Sequence, residues 1–315
     1  MSFKRGLSKD FVVALNAAGD WWKAILADPE LFVGIRDEYL NVYYKGNSIL
    51  LLKFNNGVLS GRTHYKYLLN SSFQNTIPMH ADGTYDIDGN EFGNKYSISR
   101  FDCDLLKKSC QYYAGVEKSG IQEILKANPN IIDVEIAFSQ DTSPESELDI
   151  PIDFDPSTEQ KKKGSPRIDF VALQKIKDSW VLKFFEAKHF SNKELRAKEE
   201  RNIPVTKQIR RYEGQLSNPK NVSGLQDSYM KVMENILNLE GFPEPKKRIA
   251  REVIKNGQKI IVDPKPCLVV FGFDKDHNAK NSVWKAHVKR IENSLSKKRV
   301  LTKGDPKDFK TGISK

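Results

Sequence analysis

Between Pro166 and Phe190 the chain reads PRIDFVALQKIKDSWVLKFFEAKHF, two β-favouring stretches around the turn residues Ile176-Lys177-Asp178-Ser179, a pattern that predicts a hairpin. With the turn centred between Lys177 and Asp178, Lys175 pairs with Trp180, and counting outward sets Asp169 opposite Glu186. Alternation puts Lys188 on the same face as Glu186. Val171, Leu173, Leu182 and Phe184 make that face apolar, and Ile168, Phe170 and Phe185 do the same for the other, as in central strands covered on both sides. Upstream, residues 105 to 128 are helical in pattern, with Leu106, Cys110, Tyr113, Gly120 and Ile124 as the inward stripe, and Ile131 to Phe138 reads as a strand. Downstream, Pro204 suits the first turn of a helix in which Val205, Ile209, Tyr212 and Leu216 recur at helical spacing, and Cys267 to Phe273 is a short apolar strand ending in Asp274. In the first hundred residues, Asp10 to Ala27 is helical in character. Glu38 to Tyr44, Ser48 to Phe54 and Val58 to Leu68 read as strands of an antiparallel meander, joined at Lys45-Gly46-Asn47 and Asn55-Asn56-Gly57.

Acids at the end of apolar strands need a physical reason. Directly opposed residues have Cβ atoms roughly 4.5–5.5 Å apart, and two carboxylates that close repel, because burial and like charge both disfavour ionisation. A hard cation removes the conflict: Mg²⁺ is held by one or two carboxylates, with water and substrate phosphate completing its shell. Lys188 adds a positive charge suited to orienting a water or neutralising a phosphate. The chemistry expected of Asp169, Glu186 and Lys188 is metal-assisted phosphodiester hydrolysis. The plainer alternative is a solvated face on which Lys188 offsets two acids.

Gly164-Ser165-Pro166-Arg167-Ile168-Asp169, then Glu186-Ala187-Lys188, then Gln208-x-x-x-Tyr212 resemble in order and spacing the PD-(D/E)xK nuclease superfamily, particularly its RecB-like branch, over roughly residues 105 to 295. The resemblance implies an α/β fold, with a restriction-endonuclease-like mixed-sheet core flanked by helices in the order helix, three strands, helix, strand. An N-terminal β-rich region precedes it. It further implies that Asp169 and Glu186 bind Mg²⁺ or Mn²⁺, that Lys188 assists the attacking water, and that Gln208 and Tyr212 flank the site and engage the nucleic acid. The first helix of this superfamily often carries an inward acid, which makes Glu117 the candidate third metal ligand, with Glu123 and Glu135 as rivals.

A formal charge of +10 favours an anionic partner, and DNA is the expected one. Lys207, Arg210 and Arg211 lie on the Gln208 helix, so Lys207 and Arg211 are candidate phosphate contacts; Lys161-Lys162-Lys163, Lys246-Lys247-Arg248 and Lys297-Lys298-Arg299 are further basic clusters or plain solvated faces. Between Ser139 and Gln160 the chain turns acidic, with Asp141, Glu145, Glu147, Asp149, Asp153, Asp155 and Glu159 and no basic residue. This segment is expected to be a solvated insertion at the rim of the site or a phosphate mimic occupying a basic groove. Tyr43, Tyr44, Arg62, His64, Tyr65 and Tyr67 of the meander either pack or contact nucleic acid.

The expected organisation is an N-terminal helix and β region over residues 1–100, for nucleic-acid or partner binding, a nuclease core over 101–300 and a basic tail over 301–315. No signal peptide or membrane span is evident, and Cys103, Cys110 and Cys267 form no metal motif or disulfide framework, so a cytoplasmic protein is expected. Histidine-based metal motifs, nucleophile elbows and phosphate loops are absent from the sequence. The leading expectation is an endodeoxyribonuclease of restriction, defence or repair. An RNase using the same site, and a nuclease-fold nucleic-acid-binding subunit that no longer cleaves, stay open, as does a homodimer or a partner subunit.

Overall fold

The computed structural model describes residues 3–68, 76–85, 100–138, 167–196, 202–279 and 281–312. The acidic segment 139–160 and Lys161-Lys162-Lys163 lie outside them. The described chain is mixed α/β, with two sheets and eight α-helices among the described residues.

The N-terminal sheet is antiparallel throughout, in the order β1 (Phe32–Ile35), β2 (Tyr39–Tyr44), β3 (Asn47–Asn55), β4 (Val58–His64), β5 (Thr76–Met79). Lys45-Gly46 (φ 45° and 66°) and Asn56-Gly57 (φ 52° and 80°) turn its hairpins in the left-handed conformation that matches strand twist. Two expected boundaries shift. The helix expected over 10–27 is two helices, α1 (Lys9–Ala17) and α2 (Asp20–Ala27), separated at Gly19 with φ 92°. The third strand ends at His64, and Tyr65–Leu68 coils into a 3-10 turn.

The second sheet has the path β11 (Val300–Lys303), β10 (Cys267–Phe271), β8 (Ser179–His189), β7 (Arg167–Ile176), β6 (Ile131–Ala137), with β9 (Ile261–Val262) also on β8. Strands β6, β7 and β8 are antiparallel neighbours, whereas β9 and β10 run parallel to β8, and β11 parallel to β10. On one face α4 (Val116–Ala127) packs Ile121, Ile124 and Leu125 against Phe170, Phe185, Val269 and Phe271. Gly120 permits this, since a Cβ there would overlap the Phe271 ring. On the other face α5 (Pro204–Leu216) and α6 (Pro219–Asn238) cover Val171, Leu173, Leu182 and Phe184, and α8 (Val283–Leu295) covers Leu268 and Val270. The buried stripe of α5 is Val205, Ile209, Tyr212 and Leu216, as its spacing predicts. Two further helices, α3 (Cys103–Gln111) and α7 (Glu244–Asn256), complete the set.

The single helix expected over 105–128 is α3 and α4, interrupted at residues 112–115. Leu106, Cys110, Gly120 and Ile124 keep their inward places, but Tyr113 falls in the break and is 45 % exposed.

The described residues of the N-terminal region share their core with the second sheet. One continuous cluster runs from Phe3, Phe11 and Trp22 through Leu50 and Leu52 to Val171, Leu182 and Tyr229. Fully buried Arg36 ion-pairs with Asp133 of β6, Arg5 pairs with the other carboxylate oxygen at 3.0 Å, and the Tyr229 hydroxyl donates to that same oxygen at 3.0 Å. Residues 300–312 pack onto the fold as well. Val300–Lys303 is an edge strand, Phe309 is buried against Phe170 and Phe185, and Thr311 bonds Asn128 and Asn130. No helix among the described residues is long and apolar enough to cross a membrane.

Candidate active site

The β7–β8 pairing runs from Ile176↔Ser179 through Lys175↔Trp180 to Phe170↔Phe185, the register expected from the turn, so Asp169 and Glu186 are the next positions outward. There the strands part. From Phe185 on, β8 pairs with β10 on its other edge, and the amide of Ala187 donates instead to Asp169 Oδ2 at 2.6 Å. Asp169 thus takes a backbone donor that the ladder leaves unmet, and the parting makes room at the sheet end for charged groups.

Glu186 is 1 % exposed; its Oε1 lies 2.9 Å from Lys188 Nζ, and its Oε2 has no hydrogen-bond partner among the described residues. Lys188 is the hub of the cluster, with Glu194 at 3.0 Å and Glu117 at 3.8 Å as further partners. Glu117, from the first turn of α4, accepts from the His189 amide at 3.0 Å and from Asn192 Nδ2 at 2.7 Å. It therefore stands beside the strand end that carries Glu186 and Lys188, with both oxygens engaged. Glu135 lies in β6 between the pairs Val134↔Phe170 and Ile136↔Ile168, which places it across from Asp169. Its φ of 51° is a conformation that non-glycine residues adopt at a cost. Glu123 is elsewhere, paired with Lys126 on the surface of α4.

Burial raises the Asp169 carboxyl well above the ordinary carboxylate range, and the charges of Glu186 and Glu135 push the same way against Lys188. Burial likewise pushes Glu186 up to about 7 despite its ammonium partner. For Lys188, burial would lower the pKa, but Glu186, Asp169 and Glu117 outweigh it and hold the ammonium charged. The cluster carries more carboxylate than its one cation neutralises.

The Gln208 and Tyr212 side chains, one turn apart on α5, reach the same corner. Gln208 Nε2 donates to the Tyr212 hydroxyl at 2.8 Å, and that hydroxyl donates to the Arg167 carbonyl at 2.6 Å. Tyr212 so anchors the start of β7 two residues before Asp169, and its own proton is held tightly, first by burial and then by the Glu186 charge. Lys207 and Arg211 are exposed on the adjoining face of α5. Of the aromatics expected to contact nucleic acid, Tyr43, Tyr44, His64 and Tyr67 offer no stacking surface, being buried as packing residues.

Sequence reasoning missed Glu194 and Asn192. Asn192 caps the 3-10 turn Lys193–Leu195, accepting from the Glu194 amide at 2.9 Å, and so folds Glu194 back over Lys188. The available signal was an Asn two residues before an acid, directly after the strand.

As a site for a hard cation, the corner offers one buried carboxylate oxygen without a partner and two carboxyls whose protons burial retains. Among the described residues no group of three or more His, Cys, Asp or Glu side chains is set to hold an ion. Two carboxylates suffice where water and phosphate supply the remaining ligands. No family model, no curated protein and no solved structure matches the chain.

Proposed function

We propose that the chain is a Mg²⁺- or Mn²⁺-dependent nuclease, with DNA as its substrate. The observation that carries the reading is the gathering of Asp169, Glu186 and Lys188 where β7 and β8 part, with carboxylate in excess. Asp169 and Glu186 would hold the divalent ion, which when bound supplies Lewis acidity at the scissile phosphate and a more acidic water. Lys188 keeps its proton and places a positive charge beside the reacting phosphate. Glu117 and Glu194 fix that ammonium from two sides. Tyr212 and Gln208 hold the strand that bears Asp169, and Lys207 and Arg211 line an exposed approach for flanking phosphates. The order α4, β6–β7–β8, α5, β10 supports a restriction-endonuclease-like core.

The test is incubation of purified protein with closed circular and linear DNA, with and without Mn²⁺. Mn²⁺-dependent cutting of closed circles is expected and establishes endonuclease action; no cutting of either form overturns the reading. One observation favours the non-hydrolysing alternative, namely that Lys188 already neutralises Glu186 and no three-ligand cluster is present among the described residues. Calorimetric titration separates the two: a catalytic site binds Mn²⁺ and loses it on Asp169→Ala.

A further inference from the structure

Three lysines converge where the β2–β3 turn, the 65–68 turn and the start of α4 meet. Lys118 Nζ donates to the Gly46 carbonyl at 3.1 Å, and Lys66 Nζ stands 4.9 Å from the ring centres of both Tyr67 and Tyr113. Lys45 Nζ lies 5.4 Å from the Tyr44 ring, and its amide is fastened to α4 through Gln122 Oε1 at 3.0 Å. None of the three ammonium groups has a carboxylate partner among the described residues, in contrast to Lys107 or Lys188. They are close enough that the Lys66 proton is loosened first by burial and then by the Lys118 charge.

Like charges held together without acids destabilise a fold unless an anion joins them. Aromatic faces under the ammonium groups meet part of that need. A second observation points the same way. The Tyr67 hydroxyl, buried beneath this group, has no hydrogen-bond partner among the described residues. Beside it the α3–α4 break presents two consecutive aromatics to solvent, Tyr112 at 88 % and Tyr113 at 45 % exposure. The ledge abuts the candidate active site, because Lys118 follows Glu117, which accepts from the His189 amide.

We infer that this ledge binds the phosphodiester backbone of a single nucleic-acid strand, the lysines meeting its phosphates and Tyr112 and Tyr113 stacking an unpaired base. The choice of nucleic acid as the anion rests on the nuclease reading of the neighbouring site. A single strand is favoured because duplex bases have both faces already stacked, while exposed tyrosines add stacking energy of any sequence. The N-terminal sheet then has a task, delivering Lys45 and Lys66 to the substrate side of α4.

The experiment is fluorescence anisotropy of the full chain with a labelled oligothymidylate in EDTA, at a series of salt concentrations, with an unlabelled duplex as competitor. Tyr112→Ala/Tyr113→Ala removes two part-exposed rings, Tyr113 together with its contact to Lys66, and should weaken binding about tenfold with a smaller change in salt dependence than the lysine variant shows. Lys45→Gln/Lys66→Gln/Lys118→Gln should flatten the slope of log affinity against log salt by about 2, from roughly 0.7 per phosphate contact on single strands. Wild-type affinity and slope in the tyrosine variant and in Lys118→Gln alone would overturn the inference, as would a duplex competing as well as the single strand. The two readings fail separately. Binding lost in these variants, from a wild-type protein that cuts nothing with Mn²⁺, leaves the ledge standing and removes the nuclease. Unaltered binding and cutting in the variants does the reverse.

Discussion

Asp133 and Asp169 occupy neighbouring strands on one face of the same sheet, Asp133 pairing with Val171 two residues along from Asp169, yet burial has opposite consequences for them. Burial would raise the Asp133 carboxyl, but Arg36 and Arg5 outweigh it and hold the group below its ordinary value. At Asp169 burial prevails, reinforced by Glu186 and Glu135. One acid faces two guanidinium groups and a tyrosine hydroxyl; the other shares a single ammonium with Glu186, Glu117 and Glu194. A carboxylate with surplus cation fastens the N-terminal sheet to the core. Carboxylates in surplus have an unmet demand for positive charge, which is the property of a site that takes up a cation.

The sharpest way to break this contrast is to remove each member of the second cluster. Asp169→Ala, Glu186→Ala and Lys188→Ala should each lower the Mn²⁺-dependent cleavage rate by at least about a thousandfold, with oligonucleotide binding retained. Plasmid relaxation assays read this directly. Wild-type-like cleavage by any one of the three removes it from the mechanism.

The first cluster should respond in stability. Arg36→Met leaves Asp133 buried with one guanidinium fewer, and losing one partner of a buried pair costs about 3–5 kcal/mol. Urea unfolding should show a lower midpoint, while the folded fraction cleaves at the wild-type rate. A loss of rate at full stability would mean that Arg36 belongs to the site.

The two clusters were not equally legible in the sequence. The β7–β8 register followed from local information, apolar alternation and a two-residue turn, and with it the placement of Asp169, Glu186 and Lys188. The α5 stripe was local too, marked by Pro204 and helical spacing. The partners of Asp133 were not legible, because Arg36 stands 97 residues away and only the docking of the two sheets brings it near. Tyr113 fits a helical stripe that the chain abandons one turn early, so the pattern concealed the α3–α4 break and the exposed aromatics it creates. Similarly, Tyr44 and Tyr67 look available in sequence and are buried because helices cover that sheet as well. Glu135 alternates with Asp133 in the sequence, and nothing local announces the positive φ that it adopts opposite Asp169.

The smallest effect discriminates best, since it reverses sign between the two acids. A carboxyl whose folded pKa is raised, as for Asp169, contributes stability below its unfolded value, and that contribution is lost as pH rises through the folded one. Metal-free protein at pH 8, well above the unfolded value, therefore carries either a crowded carboxylate or the cost of keeping it protonated. Asp169→Asn should remove it, stabilising the EDTA-treated protein by about 1 kcal/mol at pH 8 and by less at pH 5, while abolishing cleavage. Asp133 obeys the opposite rule: its lowered pKa gives stability that is present above the unfolded value and lost only as pH falls through the folded one. Asp133→Asn should accordingly destabilise at pH 8. Thermal melts of both variants in EDTA measure the two shifts, and destabilisation by both would mean that the Asp169 carboxylate is as well compensated as its neighbour, leaving no unmet charge for a cation to answer.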